Sequence, residues 1–257
     1  MNQEKTMLWW KILSLIAISN IAFFFFALFS ASFQHSYSYN HAILCGIYTF
    51  VCAFRSFLPR IDLERYCIFD TFASSMVLGR SAATIAEISF ATQIALMLYQ
   101  LGGEQYPLSI PTLSYAIVCT LTCAQVFCWL GVTTKNHLWH AIEESLWALS
   151  FAAVGFALYI IDLPSQISWL GIFAPLFCLG YVLFMVLVDV PMYTKRWRQE
   201  RHHATYLSIR DGFRDALYTR IPTKDWKIWK EEVAWLSGYF SLAVWSSIGI
   251  FIMMDAL

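Results

Sequence analysis

Charge is scarce in this chain. Of its 257 residues only 13% are Asp, Glu, Lys or Arg, whereas 59% are hydrophobic, and the mean hydropathy is +0.57. A soluble domain carries about 25% charged residues, so an ordinary water-soluble globular protein is excluded and an integral membrane protein is indicated. Seventeen basic residues are balanced by 17 acidic ones, which removes the net positive charge expected of a nucleic-acid partner. Catalytic signatures are equally sparse: HExxH, GxSxG, a Walker A loop and a glycine-rich dinucleotide loop are all missing. Seven cysteines form no CxxC pair and no zinc-finger spacing with His, so they are expected to be small buried apolar side chains. No Asn-x-Ser/Thr sequon occurs.

What the chain has instead is long apolar runs. A bilayer span takes about 20 mostly apolar residues, and seven segments qualify, roughly 8–31, 41–59, 77–101, 111–132, 139–161, 169–191 and 233–254. The predicted fold is therefore all-α, a bundle of seven transmembrane helices. Its parts would be a six-helix bundle over 1–193, a basic segment over 194–232 and a seventh helix within 233–257. Lys and Arg set the orientation, because cytoplasmic loops retain positive charge. Lys5, Lys11, Arg55, Arg60, Arg65, Lys135 and ten basic residues from Lys195 to Lys230 all fall on one side of such a bundle. Arg80 lies just inside the third segment from that side. The N-terminus is thus expected in the cytoplasm and the C-terminus outside. One alternative reads the first segment as a cleaved signal peptide, which leaves six spans. The composition suits a bacterial inner membrane, and no internal repeat of the kind found in many transporters is visible.

Residues 194–232 read TKRWRQERHHATYLSIRDGFRDALYTRIPTKDWKIWKEE, with ten basic against six acidic residues. Trp226 and Trp229 share a helical face flanked by Lys224, Lys227 and Lys230. That pattern suits a helix at an anionic lipid surface, starting after Pro222 with Thr223 as its cap, or an ordinary cytoplasmic loop.

The few charges inside the apolar runs cluster. At 100° per residue, Asp70, Ser74, Arg80, Ser81, Thr84 and Glu87 occupy an arc of about 140°, which is expected to face the bundle interior. Arg80 and Glu87 are separated by about 10 Å of helical rise, so each is expected to find its partner elsewhere. The fifth segment opens NHLWHAIEES and places His137, His140, Glu143 and Glu144 on about a third of its circumference. With Asp189 and Arg55 at the same end of the bundle, these residues predict a polar cavity open to the cytosol or the inner leaflet.

Three uses of such a cavity are open. His and carboxylate at i, i+3 and i+4 can hold a divalent metal such as Fe, Zn or Mn, with His137, His140, Glu144, Glu200 and His203 as ligands. Arg55, Arg60, Arg80 and the His202–His203 pair can grip a phosphate, with Ser81 and Thr84 beside Arg80. Glu87, His140, Glu143 and Glu144 can then act as acids and bases. The third use is purely structural, ion pairs that fix helix register. The absence of lysine from the seventh segment excludes a rhodopsin-type Schiff base, and six histidines are too few for the histidine boxes of membrane desaturases. The expected function is a membrane enzyme acting on a lipid or isoprenoid-like substrate, with membrane lipid as its surroundings and no nucleic acid. Its rivals are a proton-coupled carrier in which Glu87 titrates and a non-catalytic assembly or receptor-like protein.

Overall fold

A backbone that crosses hydrocarbon must satisfy its own N–H and C=O groups, and a helix does so within one segment. The computed structural model, which describes residues 2–201 and 205–257, is accordingly all-α, with about 80% of the chain helical. The helices are α1 (Asn2–Ser30), α2 (Ser36–Phe57), α3 (Met76–Gly102), α4 (Ser109–Thr134), α5 (His137–Ile160), α6 (Leu170–Phe184), α7 (Val190–Glu200), α8 (Ile209–Tyr218), α9 (Trp226–Trp229), α10 (Val233–Gly238) and α11 (Val244–Ala256). Two π segments, Met185–Asp189 and Tyr239–Ala243, join α6 to α7 and α10 to α11. Among the described residues six helices are long and apolar enough to cross a bilayer: α1, α3, α4, α5, the continuous helix Leu170–Glu200 and the continuous helix Val233–Ala256. The segment expected at 41–59 lies in α2, which is long enough. Its Ser36, Ser38, Asn40, His41, Thr49, Arg55 and Ser56 make it too polar to join those six.

Many large apolar side chains are left outward, as a lipid-facing surface requires. Phe26 and Phe29 of α1 are 68% and 83% exposed, and Leu187 is 68% exposed. The residues α1 turns inward are Thr6, Trp9, Leu13, Ala17, Asn20, Phe24 and Ala27. Their spacing of three or four residues is the seam of a helix packed along its length.

The chain forms two units, residues 1–93 with 214–257 and residues 94–213, the boundary falling within α3. In the first, α1, α2 and α11 pack together around Leu13, Cys45, Tyr48, Val244, Ile248 and Phe251. Asn20 is buried there, its Nδ2 donating to the Phe240 carbonyl at 2.7 Å while its Oδ1 accepts from Trp245 Nε1 at 2.8 Å. Phe240 lies in the π segment, where carbonyls are displaced from regular helical pairing, so a side-chain donor is well placed. Gln93 and Ser247 exchange a second pair of bonds between α3 and α11.

A small sheet closes the basic end of this unit. Strand β1 (Arg60–Ile61) pairs antiparallel with β2 (Tyr66–Cys67), which pairs parallel with β3 (Ile221–Pro222). Arg65, fully buried and at φ 62, bonds Asp215 at 2.9 Å. A non-glycine residue in that region costs about 1–2 kcal/mol, and the ion pair offsets it. Within 194–232 the helix expected after Pro222 with Thr223 as cap is only the short α9, and its cap is Asp225. The helix containing Asp189 continues to Glu200; α8 follows; α9 is a single turn capped by Asp225, whose side chain accepts from Lys227 N. Trp229 is fully buried, its ring 5.6 Å from that of Trp9. Trp229 therefore anchors the segment to α1.

In the second unit α4 and α5 form an antiparallel hairpin. Lys135 turns the chain at φ 57, and Asn136 caps α5 by accepting from Leu138 N at 3.0 Å. The π segment before α7 has a local cause. Pro191 has no N–H for the Leu187 carbonyl and its ring crowds that turn, so the helix widens there.

Candidate functional site

The polar side chains expected to share one cavity divide between the units. In the first, the expectation that Arg80 and Glu87 look elsewhere for partners is overturned. Arg80 Nη2 donates to Glu87 Oε1 at 2.7 Å, with both side chains over nine-tenths buried. Residues seven apart lie on one face, and each helical Cβ leans toward the N-terminus. Glu87 therefore leans back toward Arg80, whose long arm closes the remaining rise. The Tyr239 hydroxyl, at the start of the second π segment, also donates to Glu87 Oε1, at 3.4 Å. Tyr48 stands beside Tyr239, their ring centroids 6.4 Å apart. Arg55 places its guanidinium 5.5 Å from the centre of the Phe240 ring. Ser81 and Thr84 are half-buried on α3.

Asp70 and Ser74 leave the predicted arc, because α3 begins only at Met76. Asp70 is exposed and pairs with Arg220 at 3.0 Å. Arg60 is buried; its Nη1 donates to the Ser75 carbonyl at 2.9 Å, and its guanidinium lies 5.1 Å from the centre of the Phe54 ring. The backbone of Gly79 makes room for it, since a Cβ there would stand 2.0 Å from Nη1. Burial lowers the Arg60 pKa to about 10, with Asp62 opposing the shift.

The second unit carries the denser cluster, at the end of α5 next to Lys135. His140 Nδ1 and Glu143 Oε2 are 2.8 Å apart, both residues are buried, and Cys128 Sγ of α4 stands 4.0 Å from the same nitrogen. The three ligand-type atoms lie within 4.8 Å of one another. His140 Nε2 has no hydrogen-bond partner among the described residues and rests on Gly131, where a Cβ would come within 2.7 Å. His137 Nε2 lies 3.3 Å from Glu200 Oε2, and His137 Nδ1 also has no partner among the described residues.

One face of the helix Met185–Glu200 covers these groups, with Asp189, Tyr193, Arg196 and Glu200 at i, i+4, i+7 and i+11. The Tyr193 ring stacks on His140 at 5.3 Å between centroids and lies 6.1 Å from that of His137. Asp189 interacts electrostatically with Glu143, His140 and Arg196. The opposite face, Val190, Pro191, Thr194, Lys195, Arg198 and Gln199, lines an open groove of about 450 Å³.

The five expected metal ligands are thus not one group. His140 joins Cys128 and Glu143, His137 pairs with Glu200, Glu144 is buried outside the three-atom cluster, and His202 and His203 lie outside the described residues. Cys128, Tyr193 and Gly131 had not been anticipated. A signal for them exists in the hairpin: Cys128 and Glu143 are equidistant from the Lys135–Asn136 turn, as are Gly131 and His140. An antiparallel pair of helices brings such positions level. Chemically, the arrangement is a buried imidazole oriented by a carboxylate beside a thiol, able to move a proton or to hold a cation. Compared with known proteins, the chain matches no family model, no curated protein and no solved structure.

Proposed function

We propose that this chain is an integral membrane enzyme acting on a lipid or isoprenoid-like substrate at the cytoplasmic leaflet, with its reaction centre at His140 and Glu143. The observation that carries the reading is the 2.8 Å contact between two buried ionisable groups inside a helix that is apolar enough to span a membrane. Such groups are costly in that setting, and proton transfer or ligand binding is their usual use. His140 would exchange the proton and Glu143 would orient it and stabilise the imidazolium, as carboxylates do for catalytic histidines. Glu144 stands outside the three-atom cluster and is the weaker candidate. The groove lined by Thr194, Lys195 and Arg198 supports an anionic lipid headgroup as the neighbouring chemistry.

In this reading α2 is a seventh span. Its 22 residues rise about 33 Å, enough for a hydrocarbon core about 30 Å thick. Seven spans and the one-sided placement of Lys and Arg put the N-terminus in the cytoplasm and the C-terminus outside. The carrier reading is weaker, because protonating Glu87 would break its 2.7 Å ion pair with Arg80.

The test is turnover of lipid by the purified full chain. Glu143→Gln is expected to lose about 10²-fold or more, the scale of a general acid–base contribution, while Glu144→Gln retains most activity. Equal activity of wild type and Glu143→Gln removes the proposed centre.

A further inference from the structure

We infer that Cys128, His140 and Glu143 form a binding site for a transition metal of the zinc type, with Asp189 as the outer carboxylate. The inference deepens the proposed function and rests on the same buried cluster; it adds a thiolate ligand and a cofactor, and in the metal-bound protein His140 Nδ1 and Glu143 serve as ligands rather than as a proton-exchanging pair. Three ligand atoms from two helices already lie within 4.8 Å of one another. Tetrahedral zinc, with bonds of about 2.3 Å to sulfur and about 2.0 Å to nitrogen or oxygen, requires S···N near 3.5 Å and N···O near 3.3 Å. The present separations are 4.0 Å for Cys128 Sγ to His140 Nδ1 and 2.8 Å for His140 Nδ1 to Glu143 Oε2. The first must close and the second open by about 0.5 Å to reach that geometry.

The hairpin gives the cluster its construction. Cys128 and Glu143 stand level across the Lys135–Asn136 turn, and Gly131 clears the space in which the His140 ring lies. Tyr193 covers that ring, and Asp189 brings a further negative charge to bear on His140 and Glu143. Binding a divalent ion releases the Cys128 thiol proton and requires the His140 Nδ1 lone pair to be free, so that the neutral ring carries its proton on Nε2. The thiolate and imidazole select a borderline or soft metal over Mg²⁺ or Ca²⁺. Three protein ligands leave a fourth position for water or substrate, the arrangement of catalytic rather than structural zinc.

The experiment uses the purified full chain in detergent, loaded with Co²⁺ as a spectroscopic substitute for Zn²⁺. The expected result is one ion per chain and a thiolate-to-cobalt charge-transfer band, with the band lost in Cys128→Ser. Asp189→Asn is expected to weaken zinc binding about 10–100-fold, the range for outer-shell partners. Should Cys128→Ser fail to fold, X-ray absorption on the zinc-loaded wild type decides, with one sulfur expected at about 2.3 Å. Failure to bind stoichiometrically, or a bound metal without sulfur in its shell, overturns the inference. A metal-free protein with full lipid turnover also overturns it while leaving the enzyme reading intact. A metal-loaded protein without lipid turnover supports the site and contradicts the enzyme reading.

Discussion

Arg80 and Glu87 neutralise each other along a single helix, Nη2 to Oε1 at 2.7 Å, and they do so almost out of contact with solvent. Breaking a buried ion pair by removing one partner costs about 3–5 kcal/mol in soluble proteins. Arg80→Met or Glu87→Gln alone should therefore lower stability sharply, while the double variant should recover much of the loss. Denaturation of the three variants in detergent, compared as a double-mutant cycle, checks the coupling.

Asn20 supports a different prediction. It donates to the Phe240 carbonyl in a π segment and accepts from Trp245. Asn20→Leu should cost about 1 kcal/mol, the scale of hydrogen bonds between membrane helices. Trp245 loses its acceptor in the variant, so its indole fluorescence should shift as well, and unchanged stability and emission would count against the bond.

Gly131 tests the packing behind the imidazole. A Cβ at this position would meet His140 Nε2 at 2.7 Å. Despite the better helix propensity of alanine, Gly131→Ala should destabilise by about 1–3 kcal/mol, as overpacking does. Its melting temperature against wild type is the readout.

Membrane topology can be tested by labelling. With seven spans, reporters at the two ends lie on opposite sides of the membrane, and a cysteine introduced at Lys135 is protected from an external impermeant reagent. If α2 does not cross, both ends report from the same side.

Much of this organisation is legible in the sequence, because hydrophobic length and the scarcity of charge are global signals. The helix containing Glu87 and the His137–Glu144 face followed from periodicity alone. Side-chain reach did not, so the spacing of Arg80 and Glu87 was read as too great when the tilt of Glu87 closes it. Asp70 and Ser74 fall outside the helix that their periodicity suggests, because Phe72–Ser74 forms a separate short turn and α3 starts only at Met76. The π segments ending in Asp189 and starting at Tyr239 leave little trace in hydropathy, since one added residue per turn scarcely alters the apolar content. Cys128 was hidden among seven cysteines in apolar runs. Only the symmetry of the α4–α5 hairpin distinguishes it.

The His140–Glu143 pair is proposed to perform chemistry on lipid. Its most direct test reconstitutes the full chain into liposomes of polar lipid extract supplemented with isoprenyl phosphates, and follows every lipid species by mass spectrometry. With wild type one species is expected to be consumed and one product to accumulate, and neither change is expected with folded Glu143→Gln. Identical lipid profiles for the two proteins would contradict it.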